Sequence, residues 1–584
     1  MELQTSARKI MRLRFEAKLN AIYPHPPGFE GFICQNHFFR HNQNSHSHKH
    51  PIVMIRFFSL CILLLGLVFV LPAQKPVVKI SPEFKLSKSK SFEGHLYSDA
   101  TGHYMYFYEG SRNAFTGRST DVTTVLEKYD PTFKLVYSKN YESDRKGVST
   151  LGMRYFNGRF IWLFSEANKK DDYIKYSILP LDLNGKQGKA QDIAKFKYES
   201  RNDIPTVIWN VSKDSTKLLF RAVSDDDRDD EPFRIFISVM NKDLSVDWSR
   251  KLALRHTEEV TEILATHIKN DGSVYMLAKI YEGKKAKESK KNDKKKSVAA
   301  YDIMLYRFSK DSDDPKEYRL QLGDSFIRGA SLTTDGSDNL KCAGFYSNTK
   351  NGSLQGVFYL DLGADGTVKA SNKKEFSVAD LKKFGDKNTD KDKTGSEGLE
   401  SSFKFSDFIV RDDNSAVVVA EENYVVTYTS YNNRTYSTTT TYEYNSRDII
   451  IFTINTKGEI ERVSAIPKYQ VGINTDYFIS YVSLLHGNDV VFFYNEDEDN
   501  MDKPVSNNKP KRISSFKDCV TVMTTLAPDG KLTRKQLFEA KDVESLFVPK
   551  DSSPFGKNQL FFVSIKPKLF SKSNFHMGTV TLPE

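Results

Sequence analysis

The chain has 584 residues, 39% hydrophobic and 27% charged, with 85 basic against 75 acidic residues, 41 Phe and 29 Tyr. So much aromatic surface excludes a wholly disordered polymer, and four cysteines in this length exclude a small disulfide-built scaffold. The excess of ten positive charges suggests nucleic acid, but Met1–Arg56 alone holds eight basic and three acidic residues, which leaves an excess of only five for the rest.

Residues 54–73 read as a secretory signal peptide. Met54 and Arg56 precede the apolar run Phe57–Leu71, which Pro72-Ala73-Gln74 closes. A signal anchor is the rival reading, although the run is short of the ~20 apolar residues a spanning helix needs. Residues 1–53 then read as a non-native upstream extension or a disordered tail; their His46-Ser47-His48-Lys49-His50 tract has a metal-binding composition, but a start codon placed upstream of Met54 accounts for it more simply.

From Gln74 onward the sequence consists of short strand signals separated by Gly, Asp and Asn. A strand opened by a polar turn recurs at Tyr104–Tyr108, Phe160–Phe164, Leu218–Ala222, Val274–Lys279, Leu340–Phe345, Ala416–Ala420, Val490–Tyr494 and Leu560–Ile565. A third strand follows each, as at Tyr173–Leu181 or Cys519–Leu526, and turn signals such as Asn184-Gly185, Asp365-Gly366 and Asp529-Gly530 close it. Charged, alternating fourth strands follow, as at Lys531–Phe538, and a further strand precedes the next unit, as at Phe326–Leu332. Eight such units of four strands predict an all-β chain over 74–584. It forms a single β-propeller of four-stranded antiparallel blades, with seven blades as the alternative count. The last unit lacks a fourth strand, and Val77–Leu86 is expected to supply it and close the ring.

This pattern resembles the β-propeller superfamily, and within it the secreted propellers of Bacteroidota-type bacteria. It has no WD40 Gly-His and Trp-Asp pair, kelch glycine pair or sialidase Asp box, so the resemblance implies an architecture and no site residues. Long connections at Gly283–Ser297, Phe376–Ser401, Asn423–Asn445 and Asn495–Lys511, with the acidic Asp225–Glu231, are all expected on one face. The lysine-rich loop 283–297 reads as a solvated connection, and the acidic stretches as solvated hairpin tips. Tyr424–Tyr444 reads as a projecting hairpin. Tyr428, Tyr431, Arg434 and Tyr436 near its tip are the candidate ligand-binding residues, because Tyr and Arg commonly anchor interfaces.

No zinc-protease, nucleophile-elbow or P-loop motif occurs, and Cys342 and Cys519 fall on strands of different blades as buried free thiols. Nothing calls for a metal or cofactor. A propeller peptidase would need a further hydrolase domain, for which the chain is expected to leave no room. The expectation is therefore an exported, monomeric, non-enzymatic binding protein, periplasmic, cell-surface or extracellular. It would hold a protein or glycan partner through the long-loop face, without nucleic acid and without a membrane other than through an uncleaved signal segment. The alternatives are a polysaccharide hydrolase or lyase with channel-facing carboxylates, and a structural envelope or adhesion component.

Overall fold

A computed structural model describes residues 75–583 apart from 88, 113–118, 142–147, 169, 198–203, 224–231, 284–288, 292–296, 349–352, 385–388, 392–396, 400–401, 433–436, 514 and 567–573. The signal segment 54–73, the extension 1–53, the acidic loop 225–231 and most of the lysine loop lie outside the described residues.

Eight four-stranded antiparallel sheets follow one another along the chain. Their innermost strands are Lys90–Asp99, Val148–Phe156, Thr206–Val211, Thr261–Ile268, Phe326–Thr334, Phe403–Val410, Tyr481–His486 and Leu546–Phe555, and these number the blades 1 to 8. Within a blade, consecutive strands are neighbours, so hairpins make nearly every connection. In blade 8 the fourth strand is Val77–Ile80, paired antiparallel with Asn574–Thr581 so that Val77 faces Thr581 and Ile80 faces Gly578.

The sheets pack face to face through eight apolar clusters. Tyr104 and Leu126 of blade 1 meet Met153 and Trp162 of blade 2, and Phe345 of blade 5 meets Phe452 of blade 6. The eighth cluster joins Phe561 and Met577 of blade 8 to Met105 and Phe107 of blade 1. A sheet held between two others has no wet face. The second strands Val274–Tyr281 and Leu340–Ser347 are accordingly buried at every position, which is why they read as continuous apolar runs. The outermost strand Val368–Glu375 is mostly exposed and charged.

The turns between third and fourth strands recur in one form. The amide of Phe133, Gly185, Leu244, Gly366, Gly458 or Gly530 donates to the carbonyl three residues earlier, at 2.8–3.0 Å. Each of those residues has a positive φ of 64–81°. At Asp182 the carboxylate also accepts from the amides of Asn184 and Lys186, both at 2.8 Å. These are the turns that the Asn-Gly and Asp-Gly signals predict.

Candidate active site

Six of the eight inner strands slip register against their second strand. In blade 1, Phe92 faces Phe107 and Gly94 faces Tyr106, leaving Glu93 as an extra, unpaired residue. Blades 2, 4, 5 and 6 set Leu151, Leu264, Arg328 and Ser406 apart in the same way. Blade 8 departs furthest. Val548 faces Val563 and Ser553 faces Phe561, so Pro549–Ser552 stand out of the ladder. A bulge of this kind bends the strand and re-aims a side chain without breaking the sheet. Small residues follow four of the single-residue bulges: Gly94, Gly152, Ala265 and Gly329. Gly152 has φ +141°, a conformation that favours glycine, and the Tyr106 hydroxyl lies 3.9 Å from where its Cβ would stand.

The bulges of blades 1 and 8 each carry a carboxylate, Glu93 and Asp551, and the charge of the first reaches the second. Burial raises the Glu93 pKa above the usual carboxylate range, against a 2.7 Å hydrogen bond donated by Ser91 Oγ. Burial first, and then the charge of Glu93, push Asp551 up to about 6, partly offset by Lys550. The blade 8 bulge is pinned at both ends. Ser552 Oγ donates to the Val548 carbonyl at 2.7 Å and accepts from the Val563 amide at 3.3 Å. Lys550 turns aside to an ion pair with Asp476. Tyr106 lies within the field of both carboxylates, and burial raises its phenol pKa. The charge of Arg154 in blade 2 also reaches Tyr106, and its guanidinium lies 5.0 Å from the Trp209 ring centre. Two acids whose pKa is raised by burial, a phenol and a guanidinium are a set suited to proton transfer.

A second polar group lies on the same two strands. His95 Nδ1 hydrogen bonds to Ser553 Oγ, His95 Nε2 to Ser98 Oγ at 2.7 Å, and Ser98 Oγ to His103 Nδ1 at 2.6 Å. This has the look of a serine activated by histidine. However, burial lowers His95 to about 3 and His103 to about 4, far below the range of a base acting near neutrality. His95 also stacks on Phe561 at 4.1 Å. The chain of hydrogen bonds ties blade 1 to blade 8.

The projecting hairpin is present. Ala416–Asn432 and Ser437–Ile454 pair along their length, with Tyr428 opposite Thr441 and Tyr431 opposite Thr438. Tyr428 and Tyr431 are 54% and 59% exposed, whereas Arg434 and Tyr436 lie outside the described residues. The base of the hairpin is fixed by a buried ion pair. Lys468 Nζ stands 2.6 Å from Glu421 Oε1, with side chains 0% and 2% exposed. Ser446 and Gln470 complete the ammonium's bonds at 2.7 and 3.0 Å. The acidic stretch Asn495–Asp502 is not a solvated tip. Glu496, Asp497 and Asn500 are buried, because Arg534 and Lys511 fold back onto them. Cys342 and Cys519 are free and buried. No group of three or more His, Cys, Asp or Glu converges to hold a metal among the described residues.

No family model and no curated protein matches the chain. Solved structures do. The β-propeller domain of the trilobed protease from Pyrococcus furiosus has 9% identity and a TM-score of 0.32, over 76% of this chain and 98% of that one. A prolyl endopeptidase has 11% identity and a TM-score of 0.29, over 76% of this chain and 60% of that one. A puromycin hydrolase has 10% identity and a TM-score of 0.34, over 81% and 58%. The likeness is one of fold. The chain thus spans less than two thirds of the endopeptidase and of the puromycin hydrolase. The similar structures are of peptidases and a hydrolase, at odds with the non-enzymatic binding protein expected from the sequence. The sequence reading passed over Glu93 and Asp551 because 75 acidic residues offered too many pairs. The available signal was isolated glycine inside strand patterns, at Gly94, Gly152 and Gly329, which marks bulges.

Proposed function

We propose that the protein is a hydrolase that cleaves glycosidic bonds with Glu93 and Asp551 as its paired carboxylates. The observation that carries this reading is the pair of half-buried carboxylates standing on neighbouring bulges, with Asp551 held at about 6 by burial and by the charge of Glu93. In such a pair the group of higher pKa retains its proton and serves as general acid to the leaving oxygen. The other, ionised, acts as nucleophile or activates water. Asp551, whose proton the charge of Glu93 holds, takes the first role and Glu93 the second. Tyr106, close to both, orients the substrate hydroxyls or the carboxylates themselves. The substrate is a sugar polymer or oligomer. The enzyme acts as an exported monomer, in keeping with the signal-like segment 54–73.

The test is a panel of chromogenic glycosides and native polysaccharides against the full chain, Glu93→Gln and Asp551→Asn. Each variant is expected to lose a factor of about 10²–10⁴ in turnover, the usual worth of a positioned acid or base. Turnover that survives both substitutions, or no turnover of any glycan, overturns the proposal.

A further inference from the structure

The seam between blades 1 and 8 holds a cavity of about 560 Å³. Its walls come from the first turn of blade 1, the corresponding turn of blade 8 and the strand Val77–Ile80. They include Lys79, Asp99, His103, Phe555, Gln559 and Thr579. A volume in this range accommodates a small ligand.

The polar groups on these walls are only partly committed. Asp99 Oδ1 accepts from the Thr101 amide and hydroxyl at 2.7 and 2.6 Å, which leaves its second oxygen to the cavity. His103 is only 4% exposed and engages Ser98 through Nδ1, leaving Nε2. Thr579 is 8% exposed. Gln559 Nε2 reaches Thr581 Oγ1 at 3.2 Å, leaving its amide oxygen. Lys79 and Asp99 oppose one another in sign, so a ligand with net charge would meet a repelling group whichever sign it carried. A polyol meets both favourably. Its hydroxyls donate to the carboxylate and the amide oxygen and accept from the ammonium, while Phe555 supplies an apolar wall for a ring C–H face.

We infer that this cavity is a binding site for a neutral sugar, separate from the carboxylate pair but built on the same two inner strands. The choice of sugar rests on the glycosidase reading, and the site itself rests on the cavity and its free polar groups. The site would hold a sugar unit of the substrate or product while the bulges act on another.

The experiment is isothermal titration of the full chain with glucose, N-acetylglucosamine, cellobiose and chitobiose, and separately with glycylglycine as a zwitterionic probe of similar polarity. A neutral sugar is expected to bind, Asp99→Asn and Gln559→Ala are each expected to weaken it tenfold or more, and Lys457→Ala, in an exposed turn of blade 6, is expected to leave it unchanged. The two substitutions are a near-isostere and a partly exposed truncation. Circular dichroism melts matching the parent's show that a loss of binding is not a loss of fold. The inference is overturned if no neutral sugar binds below 10 mM, a ceiling of about 2.7 kcal/mol at 1.4 kcal/mol per decade. It is also overturned if glycylglycine alone binds, or if the cavity variants bind as the parent does. Sugar binding by a parent protein that turns over no glycan refutes the catalytic proposal while leaving this one standing.

Discussion

Asp551→Asn separates catalysis from stability in one substitution. Burial and the Glu93 charge hold the Asp551 carboxyl at about 6 against an ordinary 3.8. The folded protein therefore binds its proton more tightly than the unfolded chain does. Stability is fully present below about pH 4, falls between pH 4 and 6, and is constant above. Two units at 1.36 kcal/mol each give about 3 kcal/mol as the upper bound of the cost at neutral pH. The side chain is only partly buried, so solvent screening reduces this to about 1–2 kcal/mol. Asparagine keeps the shape and removes the charge. Urea unfolding at pH 7.5 is expected to show the variant more stable by about 1–2 kcal/mol, with the gain vanishing near pH 4, while glycan turnover is lost. A variant that is less stable at pH 7.5, or whose gain is the same at both pH values, refutes the account of the carboxylate pair.

Three further outcomes follow from other parts of the molecule. Lys468→Met strands the buried Glu421 charge and is expected to cost about 3–5 kcal/mol in urea unfolding, most of it recovered when Glu421→Leu is added. Glu496, pushed up to about 7 chiefly by burial, adds its own fall in stability between about pH 4.5 and 7, and Glu496→Gln is expected to flatten that slope in unfolding curves measured across the range. Tyr428→Ser with Tyr431→Ser, on an exposed stretch of hairpin, is expected to shift stability by no more than about 0.5 kcal/mol and to leave turnover of small glycosides unchanged.

The blades were legible in the sequence because their physics is local. Second and third strands stand out as apolar runs, since each sheet is covered on both faces, and the residues that take positive φ at Gly185, Gly366, Gly458 and Gly530 mark the turns. The bulges were not legible, because a bulge is a relation between two strands, and its extra residue is known only once the partner's register is known. Nothing in the residues Pro549–Ser552 marks them as a bulge; the pairing does, since Val548 and Ser553 flank a single residue, Phe562, of the neighbouring strand. The acidic stretch Asn495–Asp502 misled for a related reason. Its charge pattern looks solvated, but Arg534, which covers it, comes from the fourth strand of the same blade, 38 residues beyond Glu496.

The ring of bulges has a consequence for how such a protein changes over time. A residue outside the ladder makes no cross-strand backbone pair, so its replacement leaves the ladder of backbone hydrogen bonds intact. Leu151, Leu264, Arg328 and Ser406 occupy four such places, beside the two that carry acids. New chemistry can therefore be tried at one position at a time, on a frame whose rigidity is secured elsewhere, and a lineage built on this frame can diverge in what it acts upon long before it diverges in shape.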